Sequence, residues 1–149
     1  MLPIHYPDSC TFFEMFTIAR VKTKELAQSY FYDVNRKHEA IVSNLTLGEV
    51  VKGLSELSNE EQKKLSFLRI DDVLKMVKLT SPQFQDYSLA LELKEIDYKL
   101  EPEDALHLAM AINNKAQIFM TMGERDLANN PNLTEFLREK GPKINILGE

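Results

Sequence analysis

The chain has 149 residues, a net charge of −5, 44% hydrophobic and 28% charged residues, values that suit one domain with one core over residues 1–149. No apolar run approaches the roughly 18 to 20 residues that a membrane span needs, and the amino terminus lacks the pattern of a secretory signal, so we expect a cytoplasmic protein without a membrane partner. One cysteine, Cys10, excludes a disulfide framework and a cysteine-built zinc site, and with three scattered histidines any metal must be held mainly by oxygen.

The first half of the chain alternates short strand patterns with helical ones. Residues 4–6 are a candidate first strand, ended by Pro7, and apolar residues at helical spacing predict helices over residues 11–21 and about 23–37. Residues 40–43 have the short, β-branched pattern of a buried strand in a parallel sheet. Thr46 opens a predicted helix over residues 46–57, and Asn59 caps the next, which continues to residue 79 as one bent helix or two.

The second half repeats this alternation. Helices are predicted over about residues 80–95 and, with Pro102 in the first turn, through residue 112. Residues 117–121 are a predicted strand, followed by a loop to about residue 131, a helix over residues 132–140 and a last strand over residues 144–147. Short strands separated by helices predict an α/β fold with a central, mostly parallel β-sheet flanked by helices on both faces.

Acidic residues recur just after a strand, at the start of the next helix: Asp8, Glu49, Asp104 and the pair Glu124 and Asp126. In an open parallel sheet the carboxyl ends of the strands line one edge, where acids from distant segments can converge. Such carboxylates repel one another unless a cation neutralises them, and oxygen ligands favour Mg²⁺ or Mn²⁺. The net charge of −5 argues against a generic nucleic-acid binder, yet clustered carboxylates would themselves make the total negative.

Each of these acids also has a purely structural interpretation. Thr46 and Glu49 have the spacing of a capping box, in which Glu49 would bond back to the backbone N–H of Thr46. Asp8 is placed to cap the helix that follows it, Asp104 lies in a first helical turn where acids are favoured, and Asp126 suits a turn. Acids at helix starts do not by themselves indicate a function.

The residues around the acids resemble the PIN-domain family, which includes the VapC-like toxin ribonucleases, over essentially the whole chain. The opening motif of the family, a strand ending in Asp before a small or polar residue and an apolar helix, is similar to YPDSCTFFE over residues 6–14. The second motif, a strand followed by Ser-x-Leu-Thr-x-x-Glu-Val, is similar to IVSNLTLGEV over residues 41–50. The third and most specific fits at every position of DALHLAMA over residues 104–111.

The fourth motif departs from the family pattern of Thr-x-Asp-x-Asp followed by Phe or Leu. Here the residues are TMGERDL over 121–127. Aligning Thr121 directly would put Gly123 at the first acid, whereas placing Met122 at the threonine position brings Glu124, Asp126 and an apolar residue into register. We prefer the second alignment because it retains two acids.

The resemblance implies a divalent-metal-dependent ribonuclease that hydrolyses phosphodiester bonds of RNA, the toxin component of a toxin–antitoxin pair. It implies Asp8, Glu49, Asp104 and Asp126 as catalytic residues and metal ligands, with Glu124 as a further ligand. It also implies Mg²⁺ or Mn²⁺ as cofactor, RNA as substrate, and a small antitoxin protein as partner; we also expect a homodimer. The alternative is a catalytically decayed PIN-fold module that acts as an RNA-binding or scaffold subunit. A receiver-type signalling domain would need an acid beside Asp8, which the chain lacks.

Two further residues stand near these motifs. His107 lies three residues after Asp104, and we favour a packing and hydrogen-bonding role over catalysis because its neighbours are apolar. Cys10 is expected to be a small residue near the site and not a nucleophile, because no histidine is placed to activate it.

Overall fold

A computed structural model describes residues 1–16, 20–122 and 125–149, with the backbone alone for residues 125 and 126. The elements in chain order are β1 (Ile4–Pro7), α1 (Ser9–Glu14), α2 (Val21–Tyr32), β2 (Glu39–Ser43), α3 (Asn44–Ser55), α4 (Glu60–Leu74), β3 (Lys78–Thr80), α5 (Phe84–Ile96), α6 (Pro102–Asn113), β4 (Ile118–Thr121), α7 (Arg125–Ala128), α8 (Pro131–Lys140) and β5 (Lys143–Ile146).

The five strands form one sheet in the order β3-β2-β1-β4-β5, and every neighbouring pair is parallel. Parallel strands require crossover connections, which the helices supply. The first strand of the chain is therefore the middle strand of the sheet, with β2 and β4 on its two sides. The α/β fold and the parallel sheet predicted from the sequence are confirmed.

Pro7 ends the central strand, where a missing backbone donor would ordinarily be costly. Its position explains why it is tolerated. Toward β4, the next residue supplies the bond, because the Asp8 N–H donates to the Met120 carbonyl oxygen at 3.0 Å. Toward β2, the pairing register covers Ile4 and His5, before the proline is reached. The chain can thus leave the sheet at Pro7 and place Asp8 directly beyond its edge.

Apolar side chains cover both faces of the sheet in two clusters of buried residues. One cluster includes Tyr6, Leu108 and Phe119, and the other includes Phe12, Val42 and Met120. Because successive side chains of a strand point to opposite faces, Phe119 and Met120 contribute to different clusters. The carboxyl ends of the strands are consequently held by packing on both faces of the sheet.

The structure differs from the sequence prediction at several element boundaries. The predicted helix over residues 23–37 ends at Tyr32, since Asn35 adopts a left-handed φ of 66° that a helix cannot contain. The predicted helix over residues 11–21 is α1, which ends at Glu14, and residues 17–19 lie outside the described part of the chain. The stretch after Asn59 is one helix that ends at Leu74, and the unpredicted edge strand β3 follows it. A further short helix, α7, lies within the predicted loop.

None of the helices in residues 1–16, 20–122 and 125–149 is long and apolar enough to cross a membrane.

Candidate metal centre at the carboxyl edge of the sheet

The carboxyl ends of β1, β2 and β4 bring three chain segments to one edge of the sheet. Asp8 follows β1 and precedes α1, Ser43 ends β2 and precedes α3, and Thr121 ends β4. Strand pairing fixes this convergence, since Pro7 is paired with Met120 at the end of the β1–β4 register. Glu49 projects from α3, one and a half turns beyond the end of β2.

Asp8 is half-buried and its carboxylate does not cap the helix that follows. It occupies the N-cap position of α1 but makes no side-chain capping hydrogen bond. The Cys10 Sγ–H donates to Asp8 Oδ1 at 2.7 Å, and the Met122 N–H donates to Cys10 Sγ at 3.2 Å. Burial raises the pKa of the Asp8 carboxyl above its usual 3.8, while hydrogen bonds from Cys10 and Thr121 offset part of the rise. Asp8 is thus a half-buried carboxylate whose ionised form the fold disfavours.

Cys10 donates a hydrogen bond to the Asp8 carboxylate and is poorly suited to attack a substrate. Burial, followed by the charge of Asp8, raises the pKa of the Cys10 thiol to about 12. A thiol that stays protonated is a hydrogen-bond donor and a weak nucleophile. The structure thus supports the expectation that Cys10 lies near the site without acting as a nucleophile.

Glu49 does not form the capping box that its spacing from Thr46 suggests. The N-cap of α3 is Ser43, whose Oγ accepts a hydrogen bond from the Thr46 N–H at 3.1 Å. The Glu49 carboxylate is instead bonded through Oε1 to His107 Nε2 of α6, at 2.7 Å. The capping interpretation of Glu49 is therefore wrong, because a residue three positions earlier than expected begins the helix.

A tyrosine that sequence reasoning overlooked connects these groups. The Tyr6 hydroxyl lies within hydrogen-bond distance of two groups, Ser43 Oγ at 3.0 Å and His107 Nδ1 at 2.7 Å. Burial raises the pKa of Tyr6 to about 12, and the charges of Glu49 and Asp8 add to that rise. Tyr6 thereby links His107, and through it Glu49, to the strand that ends directly before Asp8. The available signal was that Tyr6 precedes Asp8 by two positions and so faces the same side of the strand.

The remaining predicted acids lie partly or wholly outside this group. Asp104 lies in the first turn of α6 and is half-buried. It borders a cavity of about 390 Å³ whose other lining residues are Asp97, Lys99, Leu100, Glu101, Leu127 and Asn130. Asp126 belongs to α7, but its side chain is outside the described part of the chain, as is the whole of Glu124. Among the described side chains, no three or more His, Cys, Asp or Glu groups are close enough to hold a metal ion.

The donor chemistry of the described groups fits a hard divalent cation. Asp8 and Glu49 offer carboxylate oxygens, the ligands that Mg²⁺ and Mn²⁺ prefer. The fold disfavours the ionised form of Asp8 through burial, and a divalent cation nearby would reverse that preference. Asp8 lies directly after β1, and Glu49 is linked through His107 to Tyr6 of the same strand, so these two acids are the candidate ligands at this edge of the sheet.

Several solved structures share this fold. The chain superposes on a protein of a toxin–antitoxin complex from Klebsiella pneumoniae with a TM-score of 0.62 and 20% identity, over 86% of this chain and 93% of that one. VapBC2 from Rickettsia felis, bound to a DNA fragment from its promoter, gives a TM-score of 0.65 and 15% identity, over 96% and 98%. VapC20 of Mycobacterium tuberculosis, described as a toxin that cleaves the sarcin-ricin loop, gives 0.58 and 14%, over 77% and 86%.

None of the curated proteins matches the sequence of this chain. At such low identities the structural likeness establishes the fold alone. The family is established separately, by a family model described as the PIN domain that matches residues 6–132. That range contains the strand, the acids and the histidine described above. On this match, the chain belongs to the PIN-domain family.

Proposed function

We propose that this chain is a divalent-metal-dependent ribonuclease and the toxin component of a toxin–antitoxin pair. The observation that carries the proposal is that Glu49 is linked through His107 to Tyr6 of β1, the strand that ends directly before Asp8, at the carboxyl edge of a PIN-domain sheet. PIN-domain proteins are nucleases as a family, and one structure of the same fold is described as a toxin that cleaves the sarcin-ricin loop. The two properties together favour hydrolysis of RNA.

Asp8 and Glu49 would supply two of the ligands of Mg²⁺ or Mn²⁺, and Asp104, Asp126 and Glu124 are the further ligands that we propose. When bound, such an ion lowers the pKa of a water and neutralises charge on the leaving oxygen of a phosphodiester. The chain itself would bind and orient the phosphate, and no protein nucleophile is required. The high pKa of Tyr6 keeps its hydroxyl neutral, so that it remains a hydrogen-bonding group beside the carboxylates.

We also propose an antitoxin partner, a homodimer and a cytoplasmic location. Two structures of this fold are described as VapBC assemblies bound to DNA, which supports a small partner protein that covers the acidic edge. An apolar stripe on α5, made of Phe84, Tyr87 and Leu91, is exposed and supports pairing with a second copy of the chain. Sedimentation velocity tests this, since Leu91→Glu should convert a dimer to a monomer.

The decisive experiment is cleavage of RNA by the purified chain, with Mn²⁺ or with EDTA, resolved on a denaturing gel. Asp8→Asn and Asp104→Asn should abolish cleavage, Asp126→Asn should weaken it, and Glu124→Gln should matter least because it stands in the shifted fourth motif. Asp33→Asn is the matched control, because Asp33 caps the C-terminal end of α2 and forms an ion pair with exposed Lys37. RNA binding without cleavage in Mn²⁺ would favour the decayed module instead.

A further inference from the structure

A continuous chain of hydrogen bonds links the middle of the sheet to Glu49. It runs from Ser43 Oγ to the Tyr6 hydroxyl at 3.0 Å, from that hydroxyl to His107 Nδ1 at 2.7 Å, and from His107 Nε2 to Glu49 Oε1 at 2.7 Å. The four residues belong to β2, β1, α6 and α3. Both ring nitrogens of His107 are therefore engaged, one by a rigid partner and the other by a carboxylate.

The residues of this hydrogen-bond network become less buried toward Glu49. Tyr6 and Ser43 are fully buried and His107 is 4% exposed, whereas the Glu49 side chain is 36% exposed. The Tyr6 ring is further held by stacking on Phe119, with 5.5 Å between the ring centroids. The rigid part of the network lies in the core, and the single flexible member reaches toward solvent at the candidate site.

We propose that His107, held by Tyr6, is a positioning residue that fixes Glu49 for a divalent cation. The Nε2–H of His107 donates to Oε1, so Glu49 would bind the cation through its other oxygen. This inference rests on the proposed function, because it concerns the cation that Asp8 and Glu49 would share. His107 itself would touch neither the cation nor the RNA.

The hydrogen bond between His107 and Glu49 is better suited to positioning Glu49 than to packing alone. A residue that only filled the space at position 107 would need no polar partners, whereas both ring nitrogens of His107 have one, the Tyr6 hydroxyl and the Glu49 carboxylate. A free glutamate on a helix surface samples many rotamers, and binding a metal would have to restrict them. The imidazole imposes that restriction before the metal arrives, as hydrogen-bonding partners of metal ligands generally do.

Titration calorimetry with Mn²⁺ alone tests the proposal on the full chain without RNA. His107→Leu should weaken Mn²⁺ binding roughly 10- to 100-fold, the usual loss when a partner of a metal ligand is removed. His107→Gln should recover most of this affinity, because its amide N–H lies near the position of Nε2 and can donate to Glu49. In a Glu49→Gln background, His107→Leu should change the affinity by less than about twofold, since its effect acts through Glu49.

A second pair of variants covers the case in which His107→Leu fails to fold. Tyr6→Phe removes only the hydroxyl that holds His107, and it should weaken Mn²⁺ binding about threefold to tenfold. Ser66→Ala is the control: Ser66 is also buried, and its hydroxyl donates to the Gln62 carbonyl oxygen of its own helix, α4, at 2.8 Å. It should leave the affinity unchanged, although both variants lose one buried hydroxyl.

The outcomes separate this inference from the proposed function. If the unmodified chain binds no Mn²⁺, the proposed function is overturned and this inference with it. If it binds Mn²⁺ and folded His107→Leu or Tyr6→Phe binds equally well, only the positioning role is overturned. An equal loss of affinity from His107→Leu in both the native and Glu49→Gln backgrounds would likewise overturn it, because His107 would then act without Glu49.

Discussion

Asp8→Asn should make the metal-free protein more stable while it abolishes cleavage of RNA. Asp8 is a half-buried carboxylate whose pKa is raised above 3.8, chiefly by loss of hydration. Its ionised form therefore destabilises the folded state at every pH above the raised pKa. Asparagine has nearly the same size as aspartate. Its amide oxygen can still accept the hydrogen bond that the Cys10 Sγ–H donates to Asp8 Oδ1 in the native chain, at 2.7 Å. The substitution removes the charge and retains the contact.

The size and the pH dependence of the effect follow from the same shift. Each unit by which burial raises the pKa costs the folded state about 1.4 kcal/mol, equivalent to about 3 to 5 °C in melting temperature for a chain of this length. As the pH falls through the raised pKa of Asp8 toward the 3.8 of the unfolded chain, the carboxyl becomes protonated and the penalty disappears. The advantage of Asn over Asp should therefore shrink toward zero in acid.

Thermal melts of both proteins across this pH range, with EDTA and with Mn²⁺, provide the assay. Manganese should raise the melting temperature of the wild type and not that of Asp8→Asn, because a ligand that binds only the folded state stabilises it. Asp33→Asn should show a small loss of stability and retain the manganese effect, since it breaks only the exposed pair with Lys37. A lower melting temperature for metal-free Asp8→Asn at neutral pH would refute the reasoning.

Three further predictions concern other parts of the fold. Burial lowers the pKa of His5 to about 4 and also lowers that of stacked His38, so stability should fall as the pH drops from 6.5, and melts of His38→Phe should show a smaller fall. Gly53→Ala should cost about 1 to 3 kcal/mol in urea unfolding, because an added methyl group would overlap the ring of Phe13. Iodoacetamide should modify Cys10 far more slowly in the folded chain than in urea, as its thiol pKa is about 12.

The sequence predicted the strands and helices wherever a short stretch of residues carried the pattern. Short strand patterns predicted four of the five strands, and Asn59 marked a helix start that the structure confirms. The edge strand β3 escaped notice because it has three residues and one exposed leucine, too few to show a pattern. The end of α2 was missed because it depends on the left-handed backbone of Asn35.

The candidate site was readable only in part, because its contacts join distant segments. Strand ends predicted where Asp8 would lie, since the parallel sheet brings such ends to one edge. The partner of Glu49 was not readable: capping-box spacing pointed to Thr46, while the actual partner, His107, lies 58 positions away. The pairing of Tyr6 with His107 spans 101 positions, and two polar residues so far apart carry no periodic signal.

The middle position of β1 bears on when the protein becomes competent during synthesis. Tyr6 and Pro7 pair with Phe119 and Met120, so one side of the first strand stays open until residues near 120 have left the ribosome. A nascent chain ending at Asn113 would already contain Asp8, Glu49 and Asp104 in its sequence. It would lack the strand that receives the Asp8 N–H at Met120 and the Thr121 side chain that bonds its carboxylate. Such long-range pairing forms late in folding. The carboxylate edge would therefore reach its folded arrangement only after the residues near 120 had emerged from the ribosome.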